Sequence, residues 1–353
     1  MLPPRVIILA PREGSSGVGD HATRLIDALR GRVEVVEMRH GVASDDSSLD
    51  LWRFRRKVRA AIRAAPPGTV VHAEVSGGSS HAFWAMQGLD VRRTATLHDA
   101  PRPFWLPFVS RGVARFRPLR AVMLRVLSPL SLALERRWTR DVDAIALSSA
   151  GAQAIRGLGM ARTVTESRLL LPDRPLIAPV WDRPPAVGLF GHVYRGKGFD
   201  ALRRLRSLLP HDVALRVAGQ GTELLNDIAG VEISGPVFGA DEDAWFASVR
   251  VILLPYFRAP IGGIAAVAAS AVQAEATAYE TPCLALSWPT MDELAAEGGC
   301  ETVATLEQLA ERAAALATSA AEARQAHARL MAFRAAHETE SVLAPYLRMW
   351  DQP

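Results

Sequence analysis

Short runs of aliphatic and β-branched residues recur along the whole chain, separated by longer segments with apolar residues at helical spacing. Such runs predict buried β-strands, and the longer segments predict the helices between them. In the first half, strands are expected at residues 5–10, 33–38, 69–73, 94–98 and 144–147. In the second half, they are expected at residues 186–190, 214–218, 231–234, 251–255 and 282–286. This alternation is typical of α/β domains with parallel sheets.

Helical patterns in the first half lie at residues 21–30 and 51–65. The second of these predicts a helix that begins at Asp50 as N-cap and ends before the Pro66–Pro67 pair. An amphipathic helix is also expected near the C-terminus, at residues 339–350.

A proline-rich segment divides the chain into two halves. Residues 171–185 contain five prolines and little periodicity, which is typical of a linker. A length of 353 residues is enough for two domains that each bury a core. We therefore predict two Rossmann-like domains that face each other across a cleft, at residues 1–172 and 173–338. A C-terminal helix at residues 339–353 is expected to return to the first domain.

The composition is that of a folded protein in a reducing compartment. Hydrophobic residues make up 49% of the chain and charged residues 22%. The two cysteines, Cys283 and Cys300, are too few for a disulfide framework, so a cytoplasmic location is expected. The first residues lack the pattern of a signal peptide, and residues 259–274 are too rich in Ala, Gly and Ser to span a membrane.

Positive charge is concentrated in the first half. Residues 1–172 carry 26 Lys and Arg against 15 Asp and Glu, whereas residues 173–353 carry 15 against 22. Basic side chains cover the helix expected at residues 51–65, and eight Arg lie within residues 108–140. Such segments can bind an anionic membrane surface, although solvated Rossmann helices have a similar composition. No nucleic-acid-binding module is recognisable, so nucleic acid is not expected as a partner.

A glycine-rich loop follows the strand expected at residues 186–190. It contains Gly191, His192, Arg195 and Lys197, and a helix is expected after it. Glycine lets the backbone approach a ligand closely, while Arg and Lys supply positive charge for a diphosphate. On these residues alone, an ordinary surface loop is an equal alternative.

A second candidate site is the helix expected between the strands at 251–255 and 282–286. Free N–H groups at its first residues, Ser270, Ala271 and Val272, would attract phosphate. Glu275, one turn further on, is suited to accept hydrogen bonds from ribose hydroxyls. The alternative is a packed, alanine-rich helix with one partly solvated Glu.

Five pieces of the second half, within residues 186–290, resemble glycosyltransferase family four in sequence and order. They are Gly191 to Lys197-Gly198, Arg216-Val217-Ala218-Gly219-Gln220-Gly221, Val231-Glu232-Ile233-Ser234-Gly235-Pro236-Val237, Leu254-Pro255-Tyr256, and Glu275-Ala276 with Thr281-Pro282. The resemblance implies the two-domain GT-B fold and a donor site for a nucleoside-diphosphate sugar.

The resemblance also implies that Lys197 contacts the donor diphosphate, that Glu275 contacts the ribose, and that the backbone near Val237 contacts the base. Gly191, His192 and Gly219 belong to the same donor site. Transfer would retain the anomeric configuration and need no metal or other cofactor. Lys197 and Arg195 would act catalytically by stabilising the departing diphosphate.

Two positions depart from the family pattern. The family usually has two Glu residues separated by seven others, and Val267 stands at the position of the first, which faces the donor sugar. His192 stands where an Arg is common, so either Arg195 or His192 takes the place of that Arg, or the donor is unusual. We therefore expect Gly262 and Gly263 to supply backbone groups to the sugar instead.

Acceptor binding is expected in the first half. Gly17 and Gly19 lie in a glycine-rich loop after the first strand, and His98 and Asp99 follow the strand at 94–98. In the family, these positions line the acceptor pocket, and His98 would orient the acceptor hydroxyl. Glu74 and His72 are further candidates for acceptor contacts. A His that caps a strand or is satisfied in the core is the alternative for His98.

The sequence thus predicts an enzyme that moves a hexose from a nucleotide sugar to a hydroxyl acceptor, which is anionic or lipid-linked. Three alternatives stay open: a sugar-nucleotide epimerase of the same architecture, a non-catalytic nucleotide-sugar-binding protein, and a Rossmann oxidoreductase. The last is disfavoured because the acidic residue expected after the second strand is poorly matched, Glu37 being followed by Met38-Arg39-His40.

Overall fold

The structure is a computed structural model and describes residues 2–42, 46–77, 80–105, 111, 122, 126–194, 196–257 and 264–351. The chain divides into two compact units. The first comprises Met1–Leu170, Pro260–Ala269 and Thr339–Pro353, and the second comprises Leu171–Ala259 and Ser270–Glu338.

Strands and helices alternate through most of the described chain. The strands β1 to β14 are Arg5–Pro11, Glu34–His40, Val70–Val75, Arg92–Leu97, Asp99–Ala100, Val142–Ala146, Thr163–Glu166, Ala186–Phe190, Ala214–Ala218, Val231–Ile233, Val251–Leu254, Val267–Ala268, Cys283–Leu286 and Glu301–Val303. The helices α1 to α12 are Gly17–Leu29, Ser48–Arg63, His81–Met86, Ser128–Thr139, Ser149–Leu158, Leu202–Leu208, Ala240–Ala247, Ala271–Ala278, Pro289–Ala296, Leu306–Thr318, Ala320–Ala336 and Thr339–Asp351.

The first unit is built on a parallel sheet in the order β2-β1-β3-β4-β6-β7. Alternate side chains of β1 point to opposite faces of this sheet. Ile7 and Leu9 pack in the cluster that contains residues of α2, whereas Val6 and Ile8 pack with α1 and α12. The C-terminal helix α12 therefore covers one face of this sheet. The edge strand β7 was not predicted, because it is short and largely polar.

Helix α2 begins at Ser48, three residues earlier than predicted, and its N-cap is Ser47 rather than Asp50. The Ser47 Oγ accepts a hydrogen bond from the Asp50 N–H at 3.4 Å, and the Asp50 carboxylate accepts one from the Ser47 N–H at 2.9 Å. This reciprocal capping box satisfies two backbone donors that would otherwise lack partners. The prediction of Asp50 as N-cap was therefore wrong.

The second unit contains a parallel sheet in the order β10-β9-β8-β11-β13-β14. Its first strand along the chain, β8, lies in the middle, and the order on either side is that of a Rossmann fold. Strands β8 and β9 have the bounds that the sequence predicted. The predicted fold class, α/β with two parallel-sheet domains, is confirmed.

A short segment of the second half belongs to the first unit. Residues 264–269 group there because β12 pairs antiparallel with β5, Val267 opposite Ala100 and Ala268 opposite Asp99. The domain division expected from sequence did not separate this segment from its neighbours. None of the helices in the described ranges has both the length and the apolar character of a membrane span.

Candidate functional site

The loop after β8 is closely packed against the end of β9. The Gly191 N–H donates to the Ala218 carbonyl at 3.0 Å, and the φ angles of Gly191 and Gly219 are 114° and 125°. A Cβ added to Gly219 would lie 2.2 Å from the Gly191 carbonyl oxygen. Both positions therefore need glycine, because the two backbones touch where the strands end.

Lys197 is held close to the N-terminus of α8. Its Nζ donates to the Tyr256 hydroxyl at 3.0 Å and lies 4.1 Å from the centre of that ring. The Tyr256 hydroxyl in turn lies 3.1 Å from the Ser270 Oγ. Ser270 is the N-cap of α8, since its Oγ accepts from the Gln273 N–H at 3.2 Å. The structure thus brings together two predicted phosphate-binding features, the lysine and the helix N-terminus, and Tyr256 joins them.

Glu275 lies one turn inside α8, and its carboxylate is already paired. Arg174 donates to Glu275 Oε2 from Nε at 3.1 Å and from Nη2 at 2.8 Å. The same Nη2 lies 2.8 Å from Glu242 Oε1. Arg174 comes from the segment that the sequence suggested as a linker, and no motif marked it as a site residue. Only the tertiary contact identifies it.

The remaining predicted donor residues differ in exposure. His192 is exposed, Val237 and Ala271 are half-buried, and Val272 is buried. Val272 packs close to Gly191, where a Cβ would lie 2.9 Å from its side chain. Arg195, Gly262 and Gly263 lie outside the described residues. Val267 forms part of β12 in the first unit.

Gly17 and Gly19 both lie in the first turn of α1 rather than in a loop. The N-cap of this helix is Ser16, whose Oγ accepts from the Gly19 N–H at 3.3 Å. A Cβ on Gly19 would lie 2.2 Å from the Arg12 carbonyl oxygen, so that position needs glycine for packing. The expectation that these two residues lie in the loop before the helix was wrong, because Ser16 caps the helix earlier than predicted.

His98 follows β4 and is fixed by a buried carboxylate. The ring Nε2 of His98 lies 2.5 Å from Glu74 Oε2, and the backbone N–H of His98 donates to the Val75 carbonyl at 3.0 Å. The other oxygen of Glu74 accepts from Thr96 at 2.9 Å and lies 2.9 Å from His72 Nε2. Asp99, the next residue, accepts from the Gly77 N–H at 3.2 Å.

The polar network around Glu74 extends through the first unit to α12. His72 Nδ1 lies 2.8 Å from the Thr94 hydroxyl, which also accepts from Trp350 Nε1 at 3.2 Å. Glu74 and His72 are fully buried. The expectation of direct acceptor contacts from these two residues was therefore wrong, since neither side chain is accessible. They support His98 instead.

The electrostatics of this network keep Glu74 ionised. Burial alone raises the pKa of Glu74, but hydrogen bonds from His72 and His98 outweigh burial and hold that pKa well below its usual range. Burial lowers the pKa of the neighbouring His21 to about 3, so this imidazole is neutral at physiological pH.

Within the described residues, His21, Glu74 and His98 are grouped so that they could hold a metal ion, with one ligand atom from each within 4.8 Å of the others. Two His and one carboxylate suit several transition metals. However, Glu74 Oε2 is at hydrogen-bond distance from His98 and 4.0 Å from His21 Nε2. The arrangement is therefore that of a hydrogen-bonded network, and the His21 ring lies beside it, 5.1 Å from the centre of the His98 ring.

Several solved structures share this fold across nearly the whole chain. Sucrose-phosphate synthase from Thermosynechococcus elongatus has a TM-score of 0.67 and 15% identity, with 98% of each chain covered. Anabaena HepE, solved in complex with UDP and glucose, has a TM-score of 0.66 and 15% identity, again with 98% of each chain covered. No protein-family model matches the chain, and a search of the curated proteins finds no match.

The TarM structure is also similar, with a TM-score of 0.61 and 11% identity. The match covers 86% of this chain but only 58% of the TarM chain, so this chain spans little more than half of that protein. These similarities extend to both units and show the two-domain GT-B fold.

Proposed function

We propose that the protein is a glycosyltransferase that moves a hexose from a nucleoside-diphosphate sugar to a hydroxyl acceptor. The observation that carries this proposal is the arrangement in the second unit. Hydrogen bonds connect Lys197 to Tyr256 and Tyr256 to Ser270, which is the N-cap of α8. Glu275 lies one turn further along this helix. A cation, a helix N-terminus and a carboxylate in this order match the diphosphate and ribose of a nucleotide sugar. The similar HepE structure contains UDP and glucose, which supports this assignment.

In the proposed reaction, the leaving diphosphate gains negative charge as the sugar departs. Lys197 and the free N–H groups at the start of α8 stabilise this charge, and Arg195 joins them from the same loop. We propose that these groups do so without a metal ion, and that the anomeric configuration is retained, as the family resemblance implies. Tyr256 holds Lys197 in position before the nucleotide binds.

His98 is proposed to contact the acceptor hydroxyl. In a neutral imidazole one nitrogen donates and the other accepts. Because Nε2 faces the ionised Glu74, the proton is placed on Nε2, and Nδ1 is left as the acceptor. Glu74 thus sets the tautomer in which His98 can accept a proton from a hydroxyl.

The donor is tested by thermal shift with UDP, GDP and their hexose conjugates. We expect one nucleotide family to raise the melting temperature, since a ligand that binds only the folded state stabilises it. Nicotinamide dinucleotides serve as the control for the oxidoreductase alternative. No shift with any nucleoside diphosphate would contradict the proposal.

The absence of a Glu at position 267 favours one second candidate, a protein that binds the nucleotide sugar without catalysis. Val267 pairs with Ala100 through its backbone and offers no carboxylate to the sugar. Incubation of the protein with the nucleotide sugar and candidate acceptors distinguishes the two candidate functions. Transfer of the sugar supports the enzyme, whereas binding with neither transfer nor hydrolysis supports the binding protein. Isomerisation of the sugar with no acceptor present would indicate an epimerase.

We further propose an anionic acceptor or membrane surface, reached through α2, which would place the protein on the cytoplasmic face of a membrane. Leu49 and Trp52 are 51% and 52% exposed on this helix. Arg53, Arg56 and Lys57 are exposed on the same side, and the Arg56 guanidinium lies 4.7 Å from the Trp52 ring centre. Aromatic and basic side chains together suit a lipid headgroup region.

Co-sedimentation with vesicles tests this surface. Binding to vesicles with anionic lipid, lost at high salt and in Trp52→Ala/Arg56→Glu, is expected. The control Arg203→Glu/Arg204→Glu makes a charge change in the second unit and should bind normally. Equal absence of binding to anionic and neutral vesicles would count against the membrane surface.

A further inference from the structure

We propose that the C-terminal helix α12 positions His98 through two chains of hydrogen bonds. The chains begin at Trp350 and Tyr346 of this helix and end on the carboxylate of Glu74. The inference rests on the function proposed above for His98. Both aromatic residues act through Glu74, so they are positioning residues rather than catalytic ones. All of these residues belong to the first unit.

The network is built on one face of two neighbouring strands. In the register of β3 and β4, His72 lies opposite Thr94. Glu74 lies opposite Thr96 in the same register. Alternate residues of a strand point to the same face of a sheet, so these four polar side chains share one face. Helix α12 covers this face, because its buried residues pack in one cluster with Val70, two residues before His72. Since buried polar groups need hydrogen-bond partners, these contacts determine where the protons lie.

The first chain begins at the Trp350 indole, which can only donate a hydrogen bond. Its Nε1 donates to the Thr94 hydroxyl at 3.2 Å, and His72 Nδ1 lies 2.8 Å from the same hydroxyl. His72 Nε2 lies 2.9 Å from Oε1 of Glu74, which is ionised and can only accept. The proton of His72 is therefore on Nε2, and Nδ1 accepts from Thr94.

The same contacts disfavour a proton on both ring nitrogens of His72. Thr94 would then accept from His72 as well as from Trp350, and its own proton would have no acceptor among the described residues. A buried donor without a partner is costly. The Trp350 indole thus determines the direction of the first chain, from α12 toward Glu74.

The second chain begins at the Tyr346 hydroxyl, which lies 3.2 Å from Thr96 Oγ1. Thr96 donates its one proton to Glu74 Oε1 at 2.9 Å, so Tyr346 is the donor to Thr96. Burial and the charge of Glu74 raise the pKa of Tyr346 well above its usual value, so the phenol keeps its proton. His72 Nε2 also lies 3.0 Å from Thr96 Oγ1, which brings the two chains together.

Both chains end on Oε1 of Glu74, whereas His98 Nε2 lies 2.5 Å from Oε2. Hydrogen bonds to the ionised form offset the burial of this carboxylate and keep it charged. The charged carboxylate in turn holds the proton of His98 on Nε2. The two aromatic rings of α12 also lie edge-on to the His72 ring, at 5.6 and 5.4 Å between centres. Helix α12 therefore fixes the end of the network opposite His98.

Proton–nitrogen correlation spectra of the full chain, labelled at the histidine nitrogens, test the direction of the chains. Such spectra distinguish a ring nitrogen that carries a proton from one that does not. His72→Gln and His98→Gln assign the two rings by the signals that each removes. In the wild type, we expect the proton on Nε2 of both rings. A proton on Nδ1 of His72 would overturn the inference.

Tyr346→Phe and Thr94→Val test the effect on the reaction, because each removes one hydroxyl and nearly keeps the shape of the side chain. Each should lower kcat for sugar transfer about two- to tenfold, the range expected for one neutral hydrogen bond. The KM for the nucleotide sugar should stay unchanged, and the nitrogen signals of His98 should shift. Trp350→Phe should act like Thr94→Val, since both break the same link.

Ser167→Ala is the matched control. The Ser167 Oγ is buried and donates to the Val342 carbonyl of α12 at 2.8 Å. Its loss removes one hydrogen bond to α12 outside the two chains, so kcat and the histidine signals should stay unchanged. An equal fall of kcat in Ser167→Ala and in Tyr346→Phe would show a general structural effect and overturn the inference. Unchanged kcat in both Tyr346→Phe and Thr94→Val would also overturn it.

The spectra need no substrate, so they separate this inference from the proposed function. Wild-type spectra with the expected protons, but no sugar transfer from any donor, would overturn the proposed function and confirm the two chains. Transfer by a wild type that lacks those protons would overturn the chains and leave the proposed function in place.

Discussion

The candidate site in each unit contains a carboxylate, and the two carboxylates, Glu275 and Glu74, are held in different ways. Glu275 in the second unit is 15% exposed and is paired with the guanidinium of Arg174, which comes from a distant segment. Glu74 in the first unit has no exposed side-chain surface and is surrounded by two His and a Thr. The first arrangement suits a carboxylate that contacts a ligand directly. The second suits one that acts through another residue.

This difference explains the separate roles proposed for the two units. A partly exposed carboxylate beside a helix N-terminus can contribute to binding a polar ligand. A fully buried carboxylate can only orient its neighbours, and here it orients His98. Variants of the two units should therefore change different steps of the reaction.

The largest effect is expected from Lys197→Ala, which removes the charge proposed to stabilise the departing diphosphate. The rate of sugar transfer should fall about a hundredfold or more, since such contacts act most strongly as charge develops. Steady-state rates with the identified donor measure this loss. Arg204→Ala, which removes an exposed charge from helix α6, is the control. A transfer rate near that of the wild type would remove Lys197 from the proposed role.

A smaller effect is expected from the first unit. His98→Ala and Glu74→Gln should each lower the transfer rate about ten- to a hundredfold, because both disturb the residue proposed as the base for the acceptor hydroxyl. The affinity for the nucleoside diphosphate should stay unchanged, since neither residue belongs to the second unit. Equal loss of nucleotide affinity would contradict this division of roles.

The stability of the first unit should depend on pH through His21. Burial lowers the pKa of His21 from 6.5 to about 3. Between these two pH values, the unfolded chain therefore binds a proton on His21 that the folded chain does not. Unfolding free energy should therefore fall as pH decreases from 6.5 toward 3, by about 1.4 kcal/mol per pH unit for this group. Urea unfolding of His21→Gln between pH 7 and 4.5 should show a smaller slope. His211→Gln, at an exposed position, should leave the slope unchanged, and an unchanged slope in His21→Gln would refute the assignment.

The smallest effect is expected from Ser270→Ala, which removes the N-cap of α8 and the hydroxyl near Tyr256. The cap contributes about 1 kcal/mol to the free energy of unfolding. Ser47→Ala, which removes the cap of α2, should destabilise the fold by a similar amount. Only Ser270→Ala should also weaken nucleotide binding. If both variants bind the nucleotide equally, the cap of α8 has only a structural role.

Much of the second unit could be predicted from sequence, because its features are local. The strands β8 and β9, the glycines at positions 191 and 219, and the cap at Ser270 each follow from residues within one short segment. Arg174 could not be found in this way, since 101 residues separate it from Glu275. The role of Tyr256 was missed for the same reason.

The first unit was predicted less well. The alternation of apolar residues located most of its strands, but helices α1 and α2 begin earlier than expected because Ser16 and Ser47 act as caps. The burial of Glu74 depends on α12, which supplies Tyr346 and Trp350 from the far end of the chain. No local pattern contains that information.

The most direct test of the donor site is a co-crystal structure with the nucleoside diphosphate that stabilises the protein. We expect the diphosphate within hydrogen-bond distance of Lys197 Nζ and the first N–H groups of α8, with the ribose hydroxyls on Glu275. A nucleotide bound instead at the N-terminus of α1, beside Gly17, would contradict the account.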